Sequence, residues 1–248
     1  MQIQKFTKLK NGQYKIKLED GRDLILYEDL IFRYELLLHK KITPEDYERM
    51  QKENQSLDTY YVAIQYLKRK ARSEKELKDY LRKKEYPQAA IDRAIERLTA
   101  EGYLNDANYA KLFVHEQQLL TSNGPAKIRF ELEKRGISTV MIEEALREYP
   151  KELQNEKMAK IIAKMIRSNH NKSNGILKRK MMDYLSQQGF DRSDISDALE
   201  KIHWKSDQSL KEKEYEKIKA KLQTKYSGKE LEYKIKQKMY QKGFYNEE

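Results

Sequence analysis

The 248-residue chain contains no cysteine. Disulfide scaffolds, thiolate zinc sites and cysteine nucleophiles are thereby excluded, as expected of a protein in a reducing cytoplasm. Long apolar runs are missing too. The first residues, Met1 to Lys8, hold no signal-like apolar core, and the longest apolar stretches are as short as Leu24 to Tyr27. The expectation is a cytoplasmic protein without a membrane span. Apolar residues make up 38% of the chain and charged ones 37%. That is too little for one thick core and enough for a series of thin helical units.

Catalytic signatures are equally scarce. The four histidines, His39, His115, His170 and His203, are scattered without metal-ligand spacing. No phosphate-binding glycine loop, dinucleotide fingerprint or nucleophile elbow occurs. Acidic residues mostly stand beside Lys or Arg, as in Lys211 to Glu214, and read as solvated helix faces. The expectation is a protein with no catalytic residue, no metal and no cofactor.

Positive charge is abundant. Lys and Arg number 51 against 40 Asp and Glu, a formal charge of +11. Residues 1–57 carry +1, 58–107 carry +2, 108–150 are neutral, 151–205 carry +5 and 206–248 carry +3. Excess cations favour a polyanionic partner because they displace counterions condensed on phosphates; the plainer reading is that they keep a thin helical protein soluble. The uneven distribution points to protein contact in the middle and polyanion contact towards the C-terminal segments.

Residues 1–57 read as a small β-containing module. Ile3, Phe6, Tyr14, Ile16 and Leu18 alternate with polar residues, and turns are expected at Asn11–Gly12 and Asp20–Gly21. A helix is expected through Leu30 and Leu36, and Thr43 with Pro44 opens another.

From residue 58 an internal repeat dominates. Leu77, Ile128, Met181 and Ile235 are equivalent anchors, spaced by 51, 53 and 54 residues. Each is followed four residues on by Leu81, Leu132, Leu185 or Met239, and then by Tyr86, Ile137, Phe190 or Phe244. Gly136, Gly189 and Gly243 precede the last three of these and suit a left-handed helix stop. Glu85 holds that place in the first copy. A further stripe follows in three copies, as in Ile91, Ala94 and Ile95, and a stripe such as Met158, Ile161, Ile162 and Met165 precedes each anchor. Ser73 with Glu76 forms a capping box, Gly124–Pro125 opens the matching helix of the second copy, and Ser173 and Ser227 stand at the equivalent places. The fold expected is mainly α: tandem three-helix-bundle repeats in an elongated array behind the β-containing module. The repeats are expected at 58–107, 108–150 and 151–205, with a truncated fourth at 206–248 that lacks the last helix.

Basic clusters are the candidate contact sites. Lys68, Arg69, Lys70 and Arg72 converge between two helices of the first repeat; Lys127 and Arg129 open the second helix of the second; Lys178, Arg179 and Lys180 lie in the second helix of the third. These types grip phosphates or an acidic protein face, although cations at a helix C-terminus are also favoured by its dipole. The 18 tyrosines could offer base stacking. Tyr66, Tyr80, Tyr109 and Tyr184 fall on or beside the apolar stripes, so packing with a wet hydroxyl is the expected role. Trp204 is expected to pack against the fourth repeat.

Taken together, Ala63, Tyr66 and Leu67, Arg72 to Glu74, Glu76 and Leu77, Leu81, Ile91, Leu98, Gly102 to Asp106, Tyr109 and Ala110, Gly124 and Pro125, Lys127 and Ile128, Glu131 and Leu132, Gly136 and Ile137, and Ala145 and Leu146 resemble the RecX family, regulators of the RecA recombinase. The match is dense over about residues 60–150, and the N-terminal module is similar to that of longer, Gram-positive-type members. The resemblance implies a non-enzymatic monomer that binds the RecA nucleoprotein filament along its helical groove. It further implies inhibition of ATP hydrolysis, strand exchange and co-protease activity, and so a modulating role in recombination, DNA repair and the SOS response. Asn105, where the family usually has Asp, Glu85 in the turn-glycine place and the truncated fourth repeat are departures. Two rival readings remain open: a helical array that binds single- or double-stranded DNA directly and competes for it, and a scaffold for an acidic protein unrelated to DNA.

Overall fold

The computed structural model describes residues 1–10, 12–169 and 171–244. Asn11 of the first expected turn, His170 and Tyr245 lie outside the described residues.

The alternation in the N-terminal module builds a three-stranded antiparallel sheet, β1 (Ile3–Lys8), β2 (Gln13–Leu18) and β3 (Asp23–Tyr27), in that order. Ile16 stands opposite Phe6 on one side and Leu24 on the other. Ile16, Leu18, Leu24 and Leu26 are buried on one face, while Lys15 and Asp23 turn outward and pair at 2.7 Å, as a period of two requires. Leu30 and Ile31 of α1 (Glu28–Arg33) and Met50 and Leu57 of α2 (Pro44–Leu67) close this core. Thr43 caps α2, accepting the Asp46 N–H at 3.1 Å, with Pro44 in the first turn, where its missing N–H costs nothing.

Helix α2 runs unbroken through residues 57 and 58. Its second half, with Tyr60 and Ala63, belongs to a different core, shared with α3 (Glu74–Lys83) and α4 (Gln88–Ala100). Leu77, Leu81, Ile91 and Leu98 are fully buried there, each contributing roughly 1.5–3 kcal/mol by removal from water. Three further sets follow: α5 (Asp106–Leu120), α6 (Pro125–Lys134) and α7 (Thr139–Leu146); α8 (Lys151–Ser168), α9 (Asn174–Gln187) and α10 (Arg192–Glu200); and α11 (Gln208–Leu222) with α12 (Gly228–Gln241). Among the described residues no helix follows α12. The third set has its own core, in which Met158 and Ile162 of α8 and Met181 and Leu185 of α9 meet Ile195 and Leu199 of α10. Trp204 packs on this core rather than on the fourth repeat. The loop carrying it folds back on the helices it has just left, and the Lys178 ammonium stands 5.3 Å over its ring.

The chain divides into two compact units, one of Met1–Tyr109 with Arg135–Ser138, the other of Ala110–Lys134 with Thr139–Glu248.

Candidate functional site

Each repeat leaves open N–H groups at the start of its second helix, since the first four donors of any helix have no partner within it. The structure meets this need with the glycine turn of the next repeat. Ser73, the N-cap of α3, accepts the Glu76 N–H at 3.2 Å and donates its hydroxyl to the Arg135 carbonyl at 2.7 Å. Ser173, the N-cap of α9, accepts the Ile176 N–H at 3.4 Å and donates to the Lys242 carbonyl at 2.5 Å. At α6 the backbone does both jobs. Gly124 N–H donates to the Gln188 carbonyl at 2.7 Å and Ala126 N–H to the Gly189 carbonyl at 3.0 Å.

The approach is so close that only glycine fits. Gly189 has φ +86°, and a Cβ there would collide with the Lys127 backbone nitrogen and lie 2.8 Å from the Lys127 Cβ; at Gly243, φ +77°, it would lie 2.7 Å from Ser173 Oγ. Glu85 also adopts the left-handed conformation, at φ +63°. It is exposed at the surface, so a side chain has room where the later turns have none. One more donor is met by a carboxylate: Glu74 N–H bonds Asp106 Oδ1 at 2.8 Å and Asn174 N–H bonds Asp207 Oδ2 at 2.9 Å. The second repeat has Pro125 at that position, with no N–H to satisfy. Burial raises the Asp106 carboxyl above the usual aspartate range, opposed by the bond from Glu74.

These joints set the stage on which the basic residues stand. Lys68 caps the C-terminus of α2, and Lys68, Arg69 and Lys70 are exposed. Among the described residues none of the three pairs with a carboxylate. Arg72 behaves differently. It is half-buried, pairs with Glu76 at 3.3 Å and lies 4.8 Å over the Tyr66 ring, which stacks on Tyr80 at 3.9 Å. In the second repeat the charges are engaged internally: Lys127 donates to Gln188 Oε1 at 3.1 Å and Arg129 is paired with Glu143. In the third, Lys178, Arg179 and Lys180 are all exposed on α9. Interaction with the side chain of Lys180, then burial and the like charge, hold the Lys172 pKa below the usual lysine value.

Two residues not singled out in the sequence join this set. Lys172 occupies, just before its capping serine, the place Arg72 holds before Ser73, and aligning the repeats on those serines would have found it. Lys84 shares with Arg69 the rim of a cleft of about 460 Å³ in the first unit, walled by Tyr27, Tyr61, Tyr66 and Tyr86. Tyr27 and Tyr86 donate their hydroxyls to the two oxygens of Asp58, at 2.7 and 2.6 Å. Burial, then those bonds, raise both phenols well above the ordinary tyrosine value, so both remain donors throughout the physiological range. Among the described residues no cluster of three or more His, Asp or Glu has the arrangement of a metal site, and no helix is long and apolar enough to cross a membrane.

The family model for the first three-helix domain of RecX matches residues 60–98, and that for the second matches residues 105–146. Regulatory protein RecX of Bacillus cytotoxicus is 39% identical over 193 residues, spanning 75% of this chain and 70% of the relative. That of Bacillus pumilus is 31% identical over 250 residues, spanning 98% and 94%. A crystal structure of regulatory protein RecX matches 79% of this chain and 97% of its own with a TM-score of 0.69 at 23% identity, a likeness of fold. The crystal structure of RecX from Lactobacillus salivarius matches 60% and 96% with a TM-score of 0.57 at 28% identity.

Proposed function

Since the chain belongs to the RecX family of regulatory proteins, we propose that it binds the RecA–DNA filament as a monomer in the cytoplasm. There it restrains ATP hydrolysis, strand exchange and the co-protease role without chemistry of its own. The observation that carries this reading is the division of the cations. Lys127 and Arg129 of the second repeat are spent on internal bonds, whereas Lys68, Arg69, Lys70, Lys178 and Lys180 are held out from separate repeats. Several weak contacts on one chain reinforce each other through effective concentration, and a chain anchored at several points along a filament blocks the rearrangements that strand exchange needs. Titration of RecA-coated single-stranded DNA should lower ATPase and strand exchange in step with binding. Undiminished activity at saturating binding refutes the inhibitory reading.

A second reading, direct binding to DNA in competition with RecA, draws on the crowded Lys172–Lys180 pair, which a phosphate would relieve, and on the tyrosine cleft rimmed by Arg69 and Lys84. A salt series separates the two. Binding to bare DNA should weaken steeply with salt, by close to one power of salt concentration per phosphate contacted, while filament binding should keep a larger salt-resistant part.

A further inference from the structure

In the third repeat α10 lies against both α8 and α9, its Ile195 and Leu199 buried with Met158 and Ile162. The fourth repeat has the first two helices of this arrangement and none of the third among the described residues. Aligning capping serines Ser173 and Ser227, 54 residues apart, places Met181 on Ile235, Leu185 on Met239 and Phe190 on Phe244. The α12 side of the core is thus kept, and Ile235, Met239 and Phe244 are buried. On the α11 side Ile218 and Leu222 pack against this core, while the positions aligned with Met158 and Ile162 are held by Glu212 and Glu216, both exposed.

The result is an open groove of about 750 Å³ between α11 and α12, floored by Ile235, Met239 and Phe244 and edged by Tyr240, which is 63% exposed. Glu212, Glu216 and Glu232 line it together with Lys211 and Lys236. Three carboxylates against two ammoniums give it an acidic lining in a segment that carries +3 overall. Glu216 and Glu232 have no ion pair among the described residues, and the neighbouring Lys217 and Lys242 are both drawn to Glu214.

We infer that this groove takes an amphipathic helix from a partner protein, with an apolar stripe for the α12 floor and two basic residues four apart facing Glu212 and Glu216. The stripe follows from the third helix that fills the equivalent place in the third repeat, and the basic pair from the two carboxylates one turn apart on the α11 wall. Glutamates in place of Met158 and Ile162 would bury charge against an apolar or acidic helix, so they select against those occupants.

The probe is a labelled peptide of this chain's own α4 sequence, residues 88–100, whose stripe is Ile91, Ala94, Ile95 and Leu98, carrying D92K and E96K to supply the basic pair. By fluorescence anisotropy the full chain should bind this peptide saturably and bind the parent peptide roughly tenfold more weakly. A chain carrying E212K and E216K, with an unchanged circular dichroism spectrum and melt, should reverse the order. Equal affinity for both peptides, or no saturable binding of the basic one, overturns the inference. So does sedimentation that finds the chain dimeric at assay concentration and made monomeric by Tyr240→Glu, since a second copy then fills the groove.

Discussion

Gly189→Ala separates the two demands that a turn glycine answers. The first is backbone conformation: at φ +86° an alanine costs about 1–2 kcal/mol. Gly102 has nearly the same conformation, φ +77°, with open space for 4 Å around the point where a Cβ would stand, so Gly102→Ala isolates that cost. The second is contact. At Gly189 the new methyl would collide with the Lys127 backbone nitrogen and meet the Lys127 Cβ at 2.8 Å, and backbone cannot swing aside as the end of a side chain can. The turn must withdraw, and with it go the bonds from Gly124 N–H to the Gln188 carbonyl and from Ala126 N–H to the Gly189 carbonyl. Two backbone bonds at roughly 1–2 kcal/mol each when their groups are left poorly satisfied make an excess of about 2–4 kcal/mol over the Gly102 variant. The loss should be local, so amide hydrogen exchange is the assay. Protection at Gly124 and Ala126 should fall by about 30-fold to several hundred-fold, at 1.4 kcal/mol per decade, and hardly change in Gly102→Ala. Equal destabilisation by the two substitutions, with protection at Gly124 and Ala126 intact, refutes the joint.

Glu85→Gly should leave stability unchanged or raise it by up to about 1 kcal/mol in denaturant melts, because it relieves a strained left-handed residue while loosening the unfolded chain. Asp106 is an acid whose pKa is raised by the fold, so its ionised form costs stability, and that cost grows as pH rises from the ordinary aspartate value through the raised one. Asp106→Asn keeps an acceptor for Glu74 N–H and should be as stable as the parent or more so at pH 7, with the gain shrinking towards pH 4. Asp106→Ala should lose about 1 kcal/mol at pH 4 and less at pH 7, where it also escapes the cost of the ionised carboxylate, and an Asn variant as weak as the Ala one contradicts this. Lys68→Ala, Arg69→Ala and Lys70→Ala together should weaken binding to RecA-coated DNA several-fold while moving stability by no more than about 0.5 kcal/mol. Arg72→Ala should instead cost roughly 1–2 kcal/mol, through its packing on Tyr66 and its pairing with Glu76; equal effects of the two changes on binding and stability would rejoin Arg72 to the cluster.

Local patterns were legible where one helix or one hairpin answers for them. Thr43 with Pro44, Ser73 with Glu76 and Asn105, whose Oδ1 accepts the Asn108 N–H at 2.9 Å, all cap as their types dictate. Of the alternating residues, Ile3, Ile16 and Leu18 are buried and Phe6 and Tyr14 pack partly buried against the same core, and the anchors Leu77, Ile128, Met181 and Ile235 are buried. What spacing could not reveal is the partner of a residue some 60 positions away. Gly136 and Gly189 read as helix stops, and they are, but the packing that forbids any side chain there comes from Lys75 and Lys127 of the preceding repeat. The basic clusters divided for the same reason. Four neighbours in sequence, Lys68 to Arg72, point into different surroundings because the helix ends at Lys68 and Arg72 is drawn back over Tyr66, while Arg129 finds Glu143 on the following helix. Trp204 followed its own loop back to α9.

The joints also explain why a repeat with so little apolar material can be joined to its neighbour at all. A helix C-terminus carries open carbonyls and partial negative charge, a helix N-terminus open N–H groups and partial positive charge. Setting the carbonyls of Arg135, Gln188, Gly189 and Lys242 against the N-terminal turns of α3, α6 and α9 satisfies both ends at once. It does so with backbone groups and, at α3 and α9, a serine hydroxyl. The requirement is steric rather than compositional: small residues at two places, a glycine at the turn and a serine or glycine at the cap. The exposed faces of the same helices therefore remain free to vary in charge, from the neutral second repeat to the basic third, without disturbing these joints. The proposed binding to a filament at several points draws on that separation between the residues that make the joints and the residues that stand exposed.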